Sequence, residues 1–296
     1  MLVGLTSVFG NMITLVVALK FKLYTHVQYV YKFSIAASDA LWGFMLIYYL
    51  IEHYRLNFLD FRKNDLLNGY MERSFFISDQ IETNVFSLSN YILLLDNFFT
   101  SSCFHVSILT LLLSAYDRYK SLAYPFLYRR TKSVKKAVYL SVVVWVVVII
   151  GSLHNLLPIK NFYASNAIVF IIFELVPFIL IWIITFLCIF SLRKSHTSSK
   201  KLSRRKLKRR KLKKQNTELT LSILFIAMVL ALTFSLSFYI YIHARSFLSK
   251  SKPSLNFLLF ADAVLSTNSF WNFMLYNVLN KKYRKYVIAL LFKTKC

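Results

Sequence analysis

The stretch SILTLLLSAYDRYKSLAYP, residues 107–125, decides the fold. Upstream, from Phe98, the chain is nearly free of charge for about five turns of helix. Asp117 and Arg118 then appear together where that helix is expected to end and leave the lipid, with Tyr119 next and Pro125 six residues later. Charged side chains deep in a bilayer are costly, so charges at such an exit are either snorkelling anchors or functional parts. A lone arginine there is an ordinary anchor. A carboxylate beside a guanidinium asks for more, and the rest of the chain supplies it.

Composition narrows the class. Of 296 residues 57% are hydrophobic, the mean hydropathy is +0.53 and the formal charge is +25, leaving too little polar area to cover a soluble protein. Apolar stretches long enough to cross a ~30 Å hydrocarbon layer recur throughout. Five Gly and four Pro provide few turns, which favours helices over a transmembrane barrel. Cys103 and Cys188 fall inside expected helices and Cys296 is the last residue, so the three cysteines build no extracellular disulfide framework. No Asn-x-Ser/Thr acceptor marks an outer loop. The first apolar segment is expected to serve as its own insertion signal.

Seven apolar segments follow by hydropathy, roughly 2–20, 29–51, 85–117, 136–157, 166–192, 217–243 and 254–279. The connections after segments one, three and five hold Lys20, Lys22, Lys120, Arg129, Arg130, Lys132, Lys135, Lys136 and the run RKSHTSSKKLSRRKLKRRKLKK at 193–214. That run has thirteen Lys or Arg and no acid, and the tail adds Lys281, Lys282, Arg284, Lys285, Lys293 and Lys295. The opposite connections carry Asp60, Asp65, Glu72, Asp79 and Glu82, and Asp96 lies in the outer part of the third segment. The positive-inside rule therefore puts the amino terminus outside and the tail in the cytosol. The expected architecture is all-α: a seven-helix transmembrane bundle over 1–280, with a short amphipathic eighth helix and tail over 281–296. Between two spans, the basic run faces anionic membrane lipid rather than nucleic acid. Ser195, Ser198, Ser199 and Ser203 beside it are phosphorylation candidates that would weaken that attraction. Outside, about thirty residues separate segments two and three and only eight, 158–165, separate four and five, so a lid over an outer cavity would come from the first loop.

Polar residues inside apolar helices should face inward and satisfy one another. Asn11, Asp39, Ser107, Asn268 and Asn272 are such residues, and together they make an oxygen-rich core. Pro177 removes a backbone donor within the fifth segment and should kink it or loosen a turn. Trp145 is expected to serve packing. In the outer halves of the spans lie the acids Asp96, Glu174 and Asp262, with Thr100, Phe104, Phe170, Tyr239 and Tyr241 as possible cavity lining. A transporter would show paired repeats with broken helices, and an enzyme a nucleophile, metal or acid–base cluster. The chain offers neither, and its six histidines are scattered.

In their order and spacing, Gly10-Asn11, Ala36-Ala37-Ser38-Asp39, Asp117-Arg118-Tyr119, Trp145, Pro177, Asn268-Ser269 and Asn272-Phe273-Met274-Leu275-Tyr276, followed by KKYRKYVIALLF, resemble the rhodopsin-like (class A) G-protein-coupled receptors. The resemblance implies a plasma-membrane receptor with an extracellular ligand, a heterotrimeric G protein and arrestin as partners, and no enzymatic activity. It gives Asp117, Arg118, Tyr119, Asn272 and Tyr276 roles in activation, with Asp117 holding Arg118 at rest. It also assigns a sodium ion to Asp39, Ser107 and Asn268; the alternative for those residues is a purely structural hydrogen-bond network. Within the family, NSFWNFMLYNVLNKKYRK and TELTLSILFIAMVL look most like invertebrate FMRFamide-like neuropeptide receptors. Thr100, eighteen residues before Arg118, stands where amine receptors of the family carry Asp, which argues against an amine. The ligand-binding candidates are thus Asp96, Thr100, Phe104, Glu174, Phe234, Phe238 and Asp262, with Phe234 or Phe238 as the toggle aromatic of helix six. The chain departs from the family pattern at several points. It lacks the outer disulfide and the helix-six Cys-Trp-x-Pro, and Phe273 replaces the proline of the seventh-helix motif. These losses keep two alternatives open: a receptor-like protein with weakened or lost G-protein signalling, and a receptor for a non-peptide small molecule.

Overall fold

Without water to serve backbone N–H and C=O groups, a chain in lipid must close its hydrogen bonds within each segment, and this one does so as helices. The structure is a computed structural model, and it describes residues 2–59, 88–156, 171–199, 229, 233, 264, 267–274 and 281–292. Helix α1 is Leu2–Lys20, α2 is Val27–Leu59 and α3 is Leu88–Ala123. A short helix, Pro125–Thr131, turns the chain into α4, Val134–Ser152. A π turn, Ile171–Leu175, leads into α5, Val176–Ser199. Val229 and Thr233 are the described residues of α6, 267–274 are helical in α7, and α8 is Lys281–Phe292. Among the described residues there is no strand, and five helical stretches are long and apolar enough to cross a membrane.

The first expected segment matches α1, whereas α2 runs eight residues past the expected end at 51 and α3 six past 117. Both extensions, EHYRLNFL and RYKSLA, mix charged and polar residues with apolar ones, so hydropathy does not register them as a continuation of the apolar window. Asp117-Arg118-Tyr119 therefore lies within α3, one turn before its end, and Pro125 opens the next helix at N1, where a missing N–H costs nothing. In the fourth segment, α4 ends at Ser152 and a 3-10 turn, Leu153–Leu156, follows. The loosened turn expected from Pro177 is the π turn immediately before it. The remainder of the long outer loop, from 60 on, the short one at 158–165 and most of segments six and seven lie outside the described residues.

Helix α3 runs through the middle of the bundle. Cys103, Phe104, Ile108, Leu111 and Ala115 from it meet Ile35 and Trp42 of α2, Ile181 of α5 and Val229 of α6 in the largest apolar core. A second core docks α8 on α1 through Tyr283 and Val287 against Val17 and Ala18. A third joins α2 to α4 through Val27, Val30, Tyr31 and Ala137. Helices α4 and α5 expose Tyr139, Val142, Ile150, Phe186 and Phe190, an apolar surface suited to acyl chains and unsuited to water. Trp145 does more than pack: its indole N–H donates to Ser34 Oγ at 3.0 Å, tying α4 to α2.

Candidate functional site

The centre of the bundle is built on Asp39, 2% exposed in α2. Ser107 Oγ from α3 and Ser269 Oγ from α7 each donate to Asp39 Oδ1 at 3.2 Å, and Asn272 Nδ2 donates to Oδ2 at 2.9 Å. Helix α1 joins through the backbone, with Ser7 Oγ donating to the Asp39 carbonyl at 3.0 Å. Asn11 Nδ2 donates to the carbonyls of Ser7 at 2.9 Å and Ser269 at 3.3 Å. The carboxylate thus ties α2 to α3 and α7 by charge-assisted bonds, which are the strong ones, and the Asp39 backbone carbonyl adds α1. Of the residues expected in this core, Asp39, Ser107, Asn11 and Asn272 come together. The second α7 donor to the carboxylate is Ser269, whereas the Oδ1 of buried Asn268 has no partner among the described residues. A carboxylate, a hydroxyl and an amide carbonyl oxygen without a described partner are hard-oxygen donors, the donor chemistry that a small hard cation takes.

At the cytoplasmic end Arg118 is 8% exposed, and Asp117 beside it accepts a hydrogen bond from Tyr128 Oη at 2.9 Å. Tyr128 belongs to the short helix after Pro125, so that helix is tied to the Asp-Arg-Tyr triplet by its own side chain. Tyr119 meets the Tyr124 ring edge-on at 6.1 Å. Phe126, 86% exposed, stands on the same short helix. Lys32 is buried in α2, with its ammonium 3.3 Å from the centroid of the Tyr283 ring; Tyr283 in turn donates to Thr14 Oγ1 at 2.9 Å. That cation–π contact, together with the hydrogen bond, seats α8 against α1 and α2. Sequence reasoning missed Tyr128 and Lys32, although a lysine one turn inside an apolar span is a signal of its own.

In the outer half, Glu174 Oε1 lies 3.0 Å from His105 Nε2 of α3, and both side chains are largely buried. The His105 ring stacks on Phe173 at 5.3 Å and 25°. The acid picked out as a ligand contact is thus paired within the bundle, with a histidine that the sequence showed only as one of six. Phe104 packs on Trp42 with centroids 5.6 Å apart, inside the core, and Thr100 is half-buried on α3. The side chain of Asp96 lies outside the described residues, as do Phe170, Phe234, Phe238, Tyr239, Tyr241, Asp262 and Tyr276. Among the described residues no three His, Cys, Asp or Glu side chains form a metal-binding group.

Comparison with known proteins adds two findings. The family model described as "7 transmembrane receptor (rhodopsin family)" matches residues 64–276, more than two thirds of the chain. The crystal structure of squid rhodopsin is similar over 99% of this chain and 83% of that one, with a TM-score of 0.71 at 18% identity, a likeness of fold. No curated protein matches.

Proposed function

We propose that this chain, which belongs to the rhodopsin family of seven-transmembrane receptors, answers an extracellular peptide. Membership makes it a multi-pass receptor of the plasma membrane that links an outer ligand to a G protein, and not an enzyme. The observation that supports coupling through its inner face is the placement of Arg118. It is buried at the end of α3 beside a carboxylate held by Tyr128, with exposed Phe126 one helix away. On activation Arg118 is released, and its guanidinium donates to carbonyls at the end of a transducer helix. An agonist raises the population of that state only by the margin with which it prefers it. Agonist-dependent nucleotide exchange, lost in Arg118→Ala at equal surface expression, tests this. Exchange unchanged by the substitution would remove Arg118 from the role.

The ligand reading rests on the outer acids. A peptide carrying a basic residue, of the amidated neuropeptide type, is recognised by Glu174, Asp262 and Asp96. Thr100 and Phe104 of α3 are further candidates, with Phe234 or Phe238 of the sixth apolar segment as the aromatic one. Neutralising Glu174 and Asp262 should weaken a cationic peptide tenfold or more, about 1.4 kcal/mol. Undiminished potency in both variants would discard the site. Screening amidated peptides on cells expressing the chain identifies the ligand, and arrestin recruitment in the same cells tests that second partner. Asp39, Ser107 and Asn268 are the residues that would hold a sodium ion, whose charge would offset the carboxylate at rest. Sodium should then shift agonist affinity in the wild type and fail to do so in Asp39→Ala. A second reading, weakened G-protein signalling, is favoured by the unbroken helix 267–274, where Phe273 replaces a helix-breaking proline.

A further inference from the structure

Helix α5 enters the membrane through a π turn, Ile171–Leu175, and two consecutive side chains of that turn grip one imidazole. Phe173 stacks on the His105 ring and Glu174 hydrogen-bonds its Nε2 at 3.0 Å. Neighbouring residues of a regular helix point about 100° apart, so a wide turn helps bring both to the same partner. Pro177 lowers the cost of that turn, because in α spacing its missing N–H would leave the Phe173 carbonyl without its bond in any case. On its far side the Phe173 ring tip fills the space over Gly151 of α4.

The grip is strong enough to hold and incomplete enough to trade. His105 is 3% exposed, yet its Nδ1 has no partner among the described residues, and neither does Glu174 Oε2. Buried polar atoms in that condition are rare, and each gains from any arrangement that satisfies it. Eight residues on, Trp182 of the same helix donates its indole N–H to Thr233 Oγ1 of α6 at 3.1 Å. Closing a π turn into α spacing removes one residue from the wide loop and rotates one flank by about 100° relative to the other. The indole cannot keep its bond to Thr233 through such a rotation.

We propose that the His105–Glu174 hydrogen bond is a conformational latch, with His105 as a positioning residue. Made, it holds the π turn of α5 against α3. Broken, the turn anneals to α spacing, the inner half of α5 rotates, and Trp182 lets go of Thr233 on α6. The device depends on no particular ligand and no particular transducer.

The test is fluorine NMR on the full chain in detergent micelles with its four tryptophans replaced by 5-fluorotryptophan, the Trp182 signal being assigned through Trp182→Phe. His105→Phe keeps a ring against Phe173 and loses the hydrogen bond; Glu174→Leu loses the acceptor; Glu174→Gln keeps a carbonyl oxygen for the imidazole. The first two should shift the Trp182 resonance while the signals of Trp145 and Trp271 stay in place, and Glu174→Gln should leave all of them near wild type. An unmoved Trp182 signal in His105→Phe overturns the latch even where Glu174→Leu fails to fold. So does a Glu174→Gln spectrum displaced as far as that of Glu174→Leu. The readout involves no G protein, so a chain silent in nucleotide exchange would count against the receptor reading alone.

Discussion

Among the described residues, Asp39 and the largely buried Glu174 are carboxylates held in opposite ways. Asp39 takes three side-chain donors from α3 and α7, while its backbone carbonyl takes a fourth from α1. Glu174 has the single imidazole of His105 and keeps one oxygen without a partner among the described residues. A hub with several donors stays in place when one is lost, and its neighbours depend on it. A two-body contact depends on both of its members and can be exchanged for another. The first arrangement suits a fixed pivot in the middle of the membrane, the second a moving part.

The largest expected effect breaks the hub. Asp39→Ala leaves Ser107, Ser269 and Asn272 without their common acceptor, and the cost should reach about 3 kcal/mol or more, given the penalty for each orphaned buried donor. Thermal unfolding in micelles checks it, with Glu174→Gln as the counterpart that should cost no more than about 1 kcal/mol. Equal losses in the two variants would erase the distinction between hub and latch.

Next comes a steric test of the hub's rigidity. A Cβ on Gly10 would lie 2.6 Å from Phe273 Cδ1 and 2.7 Å from its Cγ. Those atoms sit at the root of the ring, one residue from Asn272, and cannot swing aside without moving α7. Overpacking of this kind outweighs the helix-propensity gain of alanine, and Gly10→Ala should lose about 2 kcal/mol. Phe273→Leu in the same chain should recover most of that loss, as read by the unfolding midpoint. No recovery would mean that the collision is not the cause.

What the residues alone disclosed follows from the same contrast. Asp39 and Ser107 were legible as partners because lone polar groups in apolar helices have nowhere else to go. Arg118 was legible because its charge interrupts an apolar helix. Choosing between Asn268 and Ser269 as the second α7 donor beside Asn272 required the rotation of α7, since adjacent residues differ by about 100° and hydropathy does not fix the angle to that accuracy. Pro177 announced a loosened turn, but which side chains that turn redirects depends on an inserted residue in α5, so His105 and Glu174 stayed unconnected. Tyr128 meets Asp117 only because the chain folds back after Pro125. The helical extension of α2 beyond 51, EHYRLNFL, mixes charged and polar residues with apolar ones and so gives no continuous apolar signal.

A third carboxylate sharpens the comparison at the cytoplasmic end. The Asp117 carboxylate takes a hydrogen bond from Tyr128, and Tyr128→Phe should cost about 1 kcal/mol while raising agonist-free nucleotide exchange, because Asp117 then has less holding it in place beside Arg118. Burial first, and the Asp117 charge after it, push the Tyr128 phenol above its ordinary value of 10.0. A group whose folded value is raised stabilises fully below its unfolded value and ceases to do so as the pH climbs through the folded one. The difference between wild type and Tyr128→Phe should therefore be flat from about pH 6 to 9 and close only in stronger alkali. A difference that shrinks within that range would show that the phenol is not what Asp117 relies on.

The smallest effect on stability is expected from Gly151→Ala, and it is the most telling against Gly10→Ala. The added Cβ again lies 2.6 Å from a phenylalanine, but here the atom struck is Cζ of Phe173, the free end of the ring. A ring tip can yield by a small side-chain rotation, and alanine gains about 1 kcal/mol over glycine within a helix, so the unfolding midpoint should hardly move. The ring that yields is the one stacked on His105, so the Trp182 fluorine signal should shift although stability does not. The same 2.6 Å approach would then unsettle the bundle at the pivot and merely reposition a part at the latch. If Gly151→Ala instead lost as much stability as Gly10→Ala, the α3–α5 contact would be as rigid as the Asp39 core, and the two carboxylates would differ in bond count but not in freedom to move.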